Sequence, residues 1–174
     1  MLEDIAVFLA MAALLLCARQ FLAEPVRVKG SSMLSTLENG EMMLVNKIEY
    51  LLSAPKRQDV VICYYPNRYF DPWKLLPQYF VKRIIGLPGE TVEVREGIVY
   101  IDGEPLAEPY LDPSHTRRQS SMNPVTLGDD EYFVMGDNRD NSNDSRYIGP
   151  LGRRMIVGHV RRVFFPFEKW RGIN

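Results

Sequence analysis

The apolar positions of this chain form one continuous N-terminal run, followed by many short runs in which apolar and polar residues alternate. The first run begins at Ile5 and, apart from two polar positions, stays apolar to Ala23. As a helix it would be about 28 Å long at roughly 1.5 Å per residue, which is close to a hydrocarbon thickness of about 30 Å. We therefore interpret residues 1–24 as a membrane anchor that Pro25 ends. A buried core helix is one alternative.

A cleaved signal peptide is a second alternative, but the chain starts Met-Leu-Glu-Asp, which is acidic where such peptides are basic. The charges around the run also bear on its orientation. No Lys or Arg precedes the run, and Arg19, Arg27 and Lys29 lie near or after its end. By the positive-inside rule alone, residues 25–174 would lie in the cytoplasm.

The rest of the chain has the short period-2 pattern of strands. Strands are predicted at residues 41–47, 59–65, 80–87, 91–95, 97–101, 132–135 and 156–165. Turn signals at Arg95-Glu96-Gly97 and Asp102-Gly103 predict hairpins, and helical character is limited to a turn near residues 48–52. Many short strands without alternating helices predict a mostly β body, an antiparallel β-barrel or sandwich-like domain over residues 25–174.

Two long stretches predict loops within this body. Residues 66–78 combine prolines with aromatic residues, which fits either a loop packed on its own side chains or a contact with the membrane interface. Residues 104–128 are polar and rich in proline, and we interpret them as a surface excursion.

Composition narrows the class of protein. With 46% apolar residues the 174-residue chain can build a core, and a net charge of -1 gives no reason to expect a nucleic-acid partner. The two cysteines, Cys17 and Cys63, fall in the anchor and in a predicted strand, so we expect no disulfide. No His/Cys cluster has zinc spacing, and residues 140–151 lack the Gly and Glu of a calcium loop. We expect neither a metal nor a cofactor.

Lys82 is the first candidate for chemistry, because it lies within an apolar run at residues 79–89. If its side chain faces inward, desolvation lowers its pKa, in extreme cases to about 5–6, and the neutral amine can take a proton from a serine hydroxyl. A solvated strand lysine is the alternative. A Ser-His-Asp triad has no local signature here, so we interpret His115 and His159 as surface or structural residues.

Two further polar stretches complete a pattern. Gly30-Ser31-Ser32-Met33 follows the anchor, and a segment dense in Asp, Asn, Ser and Arg occupies residues 136–149. With the lysine run, these stretches resemble the motifs of the bacterial type I signal peptidases, which are Ser-Lys serine proteases. The serine motif Gly-x-Ser-Met-x-Pro-Thr-Leu is similar to residues 30–37 except at Ser35, where proline is usual. The third motif, Gly-Asp-Asn-Arg-Asp-Asn-Ser-x-Asp-Ser-Arg, matches residues 136–146 at every fixed position.

The resemblance implies roles for individual residues. Ser32 would be the nucleophile, rather than its neighbour Ser31, and Lys82 would be the general base. Ser142 would hydrogen-bond the Lys82 amine. Asp144 and Arg146 would form an ion pair that shapes the loop beneath the site.

The same resemblance suggests where the substrate lies. We expect Gly30, Met33 and Phe80 to line the substrate site, with parts of residues 41–44 and 80–84. The oxyanion would take the Ser32 N–H, because Gly30 stands where some family members carry a serine.

The implied function is removal of signal peptides from exported preproteins. Such substrates have small residues at the first and third positions before the cut, and would bind as an added strand. The family topology puts the catalytic domain outside the cytoplasm, with the lipid bilayer as a partner, against the charge pattern of the anchor. Two alternatives stay open: an inactive membrane-tethered binding module for exported proteins, and a related Ser-Lys self-cleaving protease.

Overall fold

The computed structural model describes residues 4–11, 23–69, 73, 77–117 and 120–173. The strands are β1 (Ala23–Arg27), β2 (Met42–Asn46), β3 (Val60–Tyr69), β4 (Pro77–Gly86), β5 (Thr91–Arg95), β6 (Ile98–Ile101), β7 (Glu104–Pro105), β8 (Met122–Thr126), β9 (Glu131–Met135), β10 (Leu151–Gly152), β11 (Ile156–Phe165) and β12 (Arg171–Gly172). The helices are α1 over residues 4–11, α2 (Glu49–Leu52) and α3 (Ser145–Ile148), with 3-10 turns at Pro113–His115, Arg139–Asn141, Arg153–Met155 and Phe167–Lys169.

The strands form two antiparallel sheets, so the mostly β antiparallel fold predicted from the sequence is confirmed. The larger sheet has the order β1-β2-β11-β3-β4-β9-β10, with β12 paired to β11, and the smaller has the order β7-β6-β5-β8. Among the described residues, no pairing joins β1 to β10 to close the larger sheet into a barrel.

The core follows from the alternation of side chains along the strands. In β3, Val60 and Ile62 pack in one buried cluster, whereas Val61 and Cys63 pack in another. A third cluster joins the two sheets through residues such as Phe133 of the larger sheet and Val92 of the smaller. Both faces of the central strands are therefore covered, which explains their nearly continuous apolar sequence.

Two predicted hairpin turns are present with the backbone that their sequences favour. Glu96 and Gly97 both have positive φ, of 49° and 85°, between paired residues of β5 and β6. Asp102 and Gly103, at 51° and 90°, make the same connection between β6 and β7. Two successive positive φ values define the type I′ turn, whose twist matches that of the flanking strands.

The predicted anchor, residues 1–24, lies mostly outside the described residues. Residues 4–11 are helical and exposed, and no helix within the described part of the chain is long and apolar enough to cross a bilayer. The prediction that Pro25 ends a helix is wrong, because Pro25 lies inside β1 and is opposite Leu44 of β2. Proline is tolerated there because β1 is an edge strand, where one missing N–H interrupts no ladder on the outer side.

Residues 104–128, predicted to be a surface excursion, contain two strands, β7 and β8. Strand β8 pairs with β5 at the edge of the smaller sheet. Its central Pro124 is exposed, as expected for a proline in an edge strand. The polar composition therefore reflects an edge position, which alternation alone does not distinguish from a loop. Of the other predicted loop, residues 66–78, only part is described: β3 continues to Tyr69, β4 starts at Pro77, and Trp73 is exposed.

Candidate active site

The hydroxyl of Ser32 and the amine of Lys82 lie next to each other. Ser32 is in the turn that follows β1, residues 30–36, which we call the serine turn. Lys82 is in β4, opposite Val61 of β3, and its residue is only 2% exposed. The Lys82 Nζ is 2.8 Å from the Ser32 Oγ, and they form a hydrogen bond. Residues 50 positions apart in the sequence thus place an amine and an alcohol in direct contact.

The surroundings of Lys82 disfavour its charged form. Burial lowers the pKa of Lys82 below its ordinary value of 10.5, while nearby acidic groups, including Asp144 and Asp137, oppose this shift. The Phe80 ring lies beside the amine as an apolar wall, with its centroid 5.9 Å from Lys82 Nζ. The arrangement therefore favours a neutral amine, which can accept a proton.

The polar loop, residues 136–146, binds the backbone of the serine turn. The Asn138 N–H donates to the carbonyl oxygen of Ser32 at 3.0 Å, and its side-chain amide donates to the carbonyl oxygen of Ser31 at 3.0 Å. The Asn141 amide donates to the Ser31 hydroxyl at 2.8 Å. The two adjacent hydroxyls therefore have different partners: that of Ser31 faces Asn141, and that of Ser32 faces Lys82.

The polar loop approaches the serine turn most closely at Gly136. A Cβ at this position would lie 2.3 Å from the Ser142 Oγ and 2.4 Å from the carbonyl oxygen of Ser32. Only a residue without a side chain allows this approach. Sequence reasoning did not single out Gly136, although it is the first residue of the third motif.

Asp144 and Arg146 stiffen the polar loop from within. Their side chains form a two-bond ion pair, with Arg146 Nε 2.9 Å from Asp144 Oδ1 and Nη2 3.0 Å from Oδ2. Asp144 also accepts the Gly136 N–H at 3.0 Å. Burial opposes ionisation of Asp144, but its bonds to Arg146 outweigh that effect and lower the pKa of the carboxyl.

Ser142 does not make the bond that the family resemblance implies. Its hydroxyl is buried and makes no hydrogen bond to the Lys82 amine among the described residues; it lies near Asp144 and helps to lower the pKa of that carboxyl. The Ser142 side chain packs against Gly136, where a Cβ would lie 2.3 Å from the Ser142 Oγ. In the described part of the chain, Ser32 alone hydrogen-bonds the Lys82 amine.

A second buried ion pair, missed by sequence reasoning, connects the base strand to both loops. Arg83, which follows Lys82, binds Asp137 with Nη2–Oδ2 at 2.8 Å, and both side chains are at most 1% exposed. Thr36 of the serine turn donates to Asp137 and accepts from Arg83. The available signal was their position within the motifs: Arg83 directly follows Lys82, and Asp137 is the second residue of the third motif.

A cleft of about 460 Å³ opens beside Ser32. It lies between β1 with the serine turn on one side and the first half of β4 on the other, and Gly30, Met33 and Phe80 all line it. Residues 41–44, the other expected contributors, do not line it, because β2 lies behind β1, between β1 and β11.

Within the described part of the chain, the strand edges that face this cleft have unused pairing capacity. Strand β1 ends its sheet, and β9 pairs with β4 only from Arg83 onward. Among the described residues, the Ser32 N–H donates no hydrogen bond. The cleft can therefore accept an extended peptide, and an N–H donor is available beside the Ser32 hydroxyl.

Comparison with known proteins shows which family the chain resembles. The family model described as "Signal peptidase, peptidase S26" matches residues 1–165. A probable signal peptidase I-1 from Synechocystis sp. is 42% identical over 169 residues, covering 97% of this chain and 84% of that protein. Signal peptidase I T from Bacillus subtilis is 41% identical over 166 residues, covering 91% and 82%. A crystal structure of a signal peptidase I from Enterococcus faecalis has 34% identity and a TM-score of 0.49, and covers 62% of this chain and 97% of that chain.

The matched region includes all three motifs. The chain therefore belongs to the signal peptidase family, peptidase S26. It is a hydrolase, a serine endopeptidase of the signal peptidase I class. The family resemblance inferred from the motifs is confirmed.

The close approach at Gly136 yields a first prediction. Gly136→Ala places a methyl group against the Ser32 carbonyl oxygen, which cannot move without moving the serine turn. We expect the free energy of unfolding to fall by about 1–3 kcal/mol and peptide cleavage to fall at least about tenfold, measured by thermal unfolding and by a cleavage assay. Gly128→Ala is the control, because its Cβ would come no closer than 3.4 Å to another atom. Equal activity of the two variants would refute this account of Gly136.

Proposed function

We propose that this protein removes signal peptides from exported preproteins, with Ser32 as the nucleophile and Lys82 as the general base. The observation that carries the proposal is the 2.8 Å contact between the Ser32 hydroxyl and a buried amine. Serine is a weak nucleophile until a neighbouring base takes its proton. Lys82 is such a base, because burial lowers its pKa and favours the neutral amine.

The reaction proceeds in two halves. Ser32 Oγ attacks the scissile carbonyl carbon while its proton passes to Lys82 Nζ, and general-base help of this kind contributes roughly 10²- to 10⁴-fold. The resulting ammonium gives the proton to the leaving amine as the C–N bond breaks, which leaves an ester on Ser32. A water molecule then attacks the ester, Lys82 takes its proton, and Ser32 Oγ leaves with that proton.

In both halves of the reaction, the negative charge that develops on the substrate carbonyl oxygen needs a hydrogen-bond donor to stabilise it. The Ser32 N–H fills this role, because it lies beside the attacking oxygen and has no other acceptor among the described residues. Gly30 provides no hydroxyl that could assist. A preorganised donor of this type is worth roughly 10²- to 10³-fold in rate.

The cleft beside Ser32 supports signal peptides as the substrate class. An extended peptide between β1 and β4 places alternate side chains on one face, so the first and third residues before the cut point the same way. The lining on that side is apolar, with Met33, Ile62 and Phe80. Apolar side chains suit such a lining, and a signal peptide supplies small ones at these two positions.

The polar loop supports the reacting pair. Through the bonds of Asn138 to the serine turn and the Asp144–Arg146 pair within the loop, it holds the Ser32 backbone under the cleft. The orienting role of Ser142 stays a prediction, since its hydroxyl makes no hydrogen bond to Lys82 among the described residues.

Variants of the reacting pair test this proposal. Ser32→Ala and Lys82→Met should each abolish cleavage of a purified preprotein by the full-length protein in detergent. In wild type, the cleavage rate should rise with pH as the Lys82 amine loses its proton, with a midpoint below 10.5. The readout is the amount of mature product on a gel, with its new N-terminus sequenced.

Ser31→Ala is the matched control, because the Ser31 hydroxyl faces Asn141 rather than Lys82. It should keep most of the activity. Equal product from wild type and Ser32→Ala would sink the proposal. No product from wild type would favour an inactive binding module.

We also propose that the segment before β1 anchors the protein in the cell membrane with the catalytic domain outside the cytoplasm, because exported substrates are met there. Ala23 and Glu24, the last residues of the predicted anchor, already pair with β2. A cysteine at the exposed Asn123 should react with a membrane-impermeant maleimide in intact cells. Cys63 is fully buried and should give little background. Labelling only after cell lysis would reverse the assigned topology.

A further inference from the structure

The segment of residues 106–117, which we call the strap, runs along the outside of the polar loop. Glu108 of the strap binds the Arg139 guanidinium of the polar loop through both carboxylate oxygens, with Nη1–Oε2 at 3.0 Å. The two side chains are 7% and 4% exposed. Tyr110 donates its hydroxyl to the same carboxylate at 2.6 Å. This ion pair is thus buried and has a third polar partner.

The Arg139 side chain transmits this contact to the reacting pair. Its Nε donates to the carbonyl oxygen of Gly136 at 3.2 Å. Gly136 lies against the Ser32 carbonyl, and Asn138 donates its N–H to that same carbonyl. Glu108 is therefore connected to the nucleophile backbone by a short series of direct contacts.

A second route leads from the strap to the base strand. The Arg83 guanidinium lies 3.8 Å above the centroid of the Tyr110 ring. Arg83 is the neighbour of Lys82 and holds Asp137 of the polar loop. The Glu108–Tyr110 unit thus contacts one arginine beside the base and another in the polar loop, which binds the serine turn.

Two more bonds fasten the polar loop on the same side. The Arg117 N–H of the strap donates to Asp140 Oδ2 at 3.1 Å, and Arg146 Nη1 donates to the hydroxyl of Ser120, just past the strap, at 3.2 Å. The loop is thus held from outside as well as by its own Asp144–Arg146 pair.

We propose that Glu108 is a positioning residue for the cleavage reaction: by holding Arg139 against the Gly136 carbonyl, it keeps the Ser32 hydroxyl in register with the Lys82 amine. This inference rests on the proposed function. Glu108 touches neither Ser32 nor Lys82, so it acts through Arg139. A displacement of about 1 Å in a reacting group costs on the order of 100-fold in rate, so a small shift of the loop is sufficient.

The test compares Glu108→Gln with Glu90→Gln in the full-length protein. Glu90 is the matched control, because it also binds an arginine, Arg57, and a backbone N–H, but not the polar loop. We expect Glu108→Gln to lower kcat for preprotein cleavage at least about tenfold, with KM within about twofold of wild type. Glu90→Gln should leave both constants near wild type.

A double variant, Glu108→Leu with Arg139→Met, separates positioning from folding. Apolar replacement of a buried ion pair is often neutral or stabilising. We therefore expect the double variant to have a melting temperature near that of wild type, while its kcat stays low. A double variant with both kcat and melting temperature near wild type would overturn the proposal. Equal kcat for Glu108→Gln and Glu90→Gln would also overturn it.

Nitrogen-15 NMR of the Lys82 amine provides a readout that does not depend on cleavage. Glu108→Gln should move the Lys82 titration midpoint away from wild type, whereas Glu90→Gln should not. If wild type cuts no preprotein, the proposed function fails, but this titration still decides whether Glu108 positions the pair. An unchanged midpoint in Glu108→Gln would contradict the positioning role.

Discussion

The site depends on keeping one lysine amine in contact with a serine hydroxyl and away from water. Burying an ammonium without a counter-ion is costly, so burial favours the neutral form. Two carboxylates lie near Lys82 and raise its pKa, which would restore the charge if they acted alone. Each is already bound by an arginine: Asp144 by Arg146 and Asp137 by Arg83. Because their charge is compensated, burial remains the larger effect.

The same two ion pairs hold the backbone that presents the pair. Asp144 accepts the Gly136 N–H, and Asp137 binds Thr36 of the serine turn. Breaking a buried ion pair by removing one partner costs roughly 3–5 kcal/mol, so these contacts resist small displacements of either loop. Electrostatic balance and rigidity at this site therefore come from the same side chains.

Local sequence predicted much of the fold because strands and tight turns leave local signatures. Periodicity located the central strands, and Glu96-Gly97 and Asp102-Gly103 predicted turns that have the expected positive φ values. It failed for β1 and β8 because each carries a proline, which in isolation indicates a break. Both are edge strands, and only the tertiary arrangement shows that their prolines are tolerated.

The candidate site, like the fold, was only partly predictable from the sequence. Composition left Lys82 open between a solvated strand residue and a base; only the family resemblance pointed to the base, and the fold brings its amine to Ser32. Contacts between distant segments had no local signature: the Glu108–Arg139 pair lies 31 positions apart and Arg83–Asp137 lies 54 apart. The predicted Ser142 bond came from the motif and stays a prediction; in the fold that side chain packs against Gly136.

The most direct test of the central claim is the titration of Lys82 itself, followed by nitrogen-15 NMR of its amine in the full-length protein in micelles, with Lys82→Met used to assign the signal. Burial lowers the folded-state pKa below the ordinary 10.5, so the amine should lose its proton at a lower pH than the exposed lysines do. The account predicts one lysine signal with such a displaced midpoint that is missing from the variant. A Lys82 signal that titrates at or above 10.5 would contradict it.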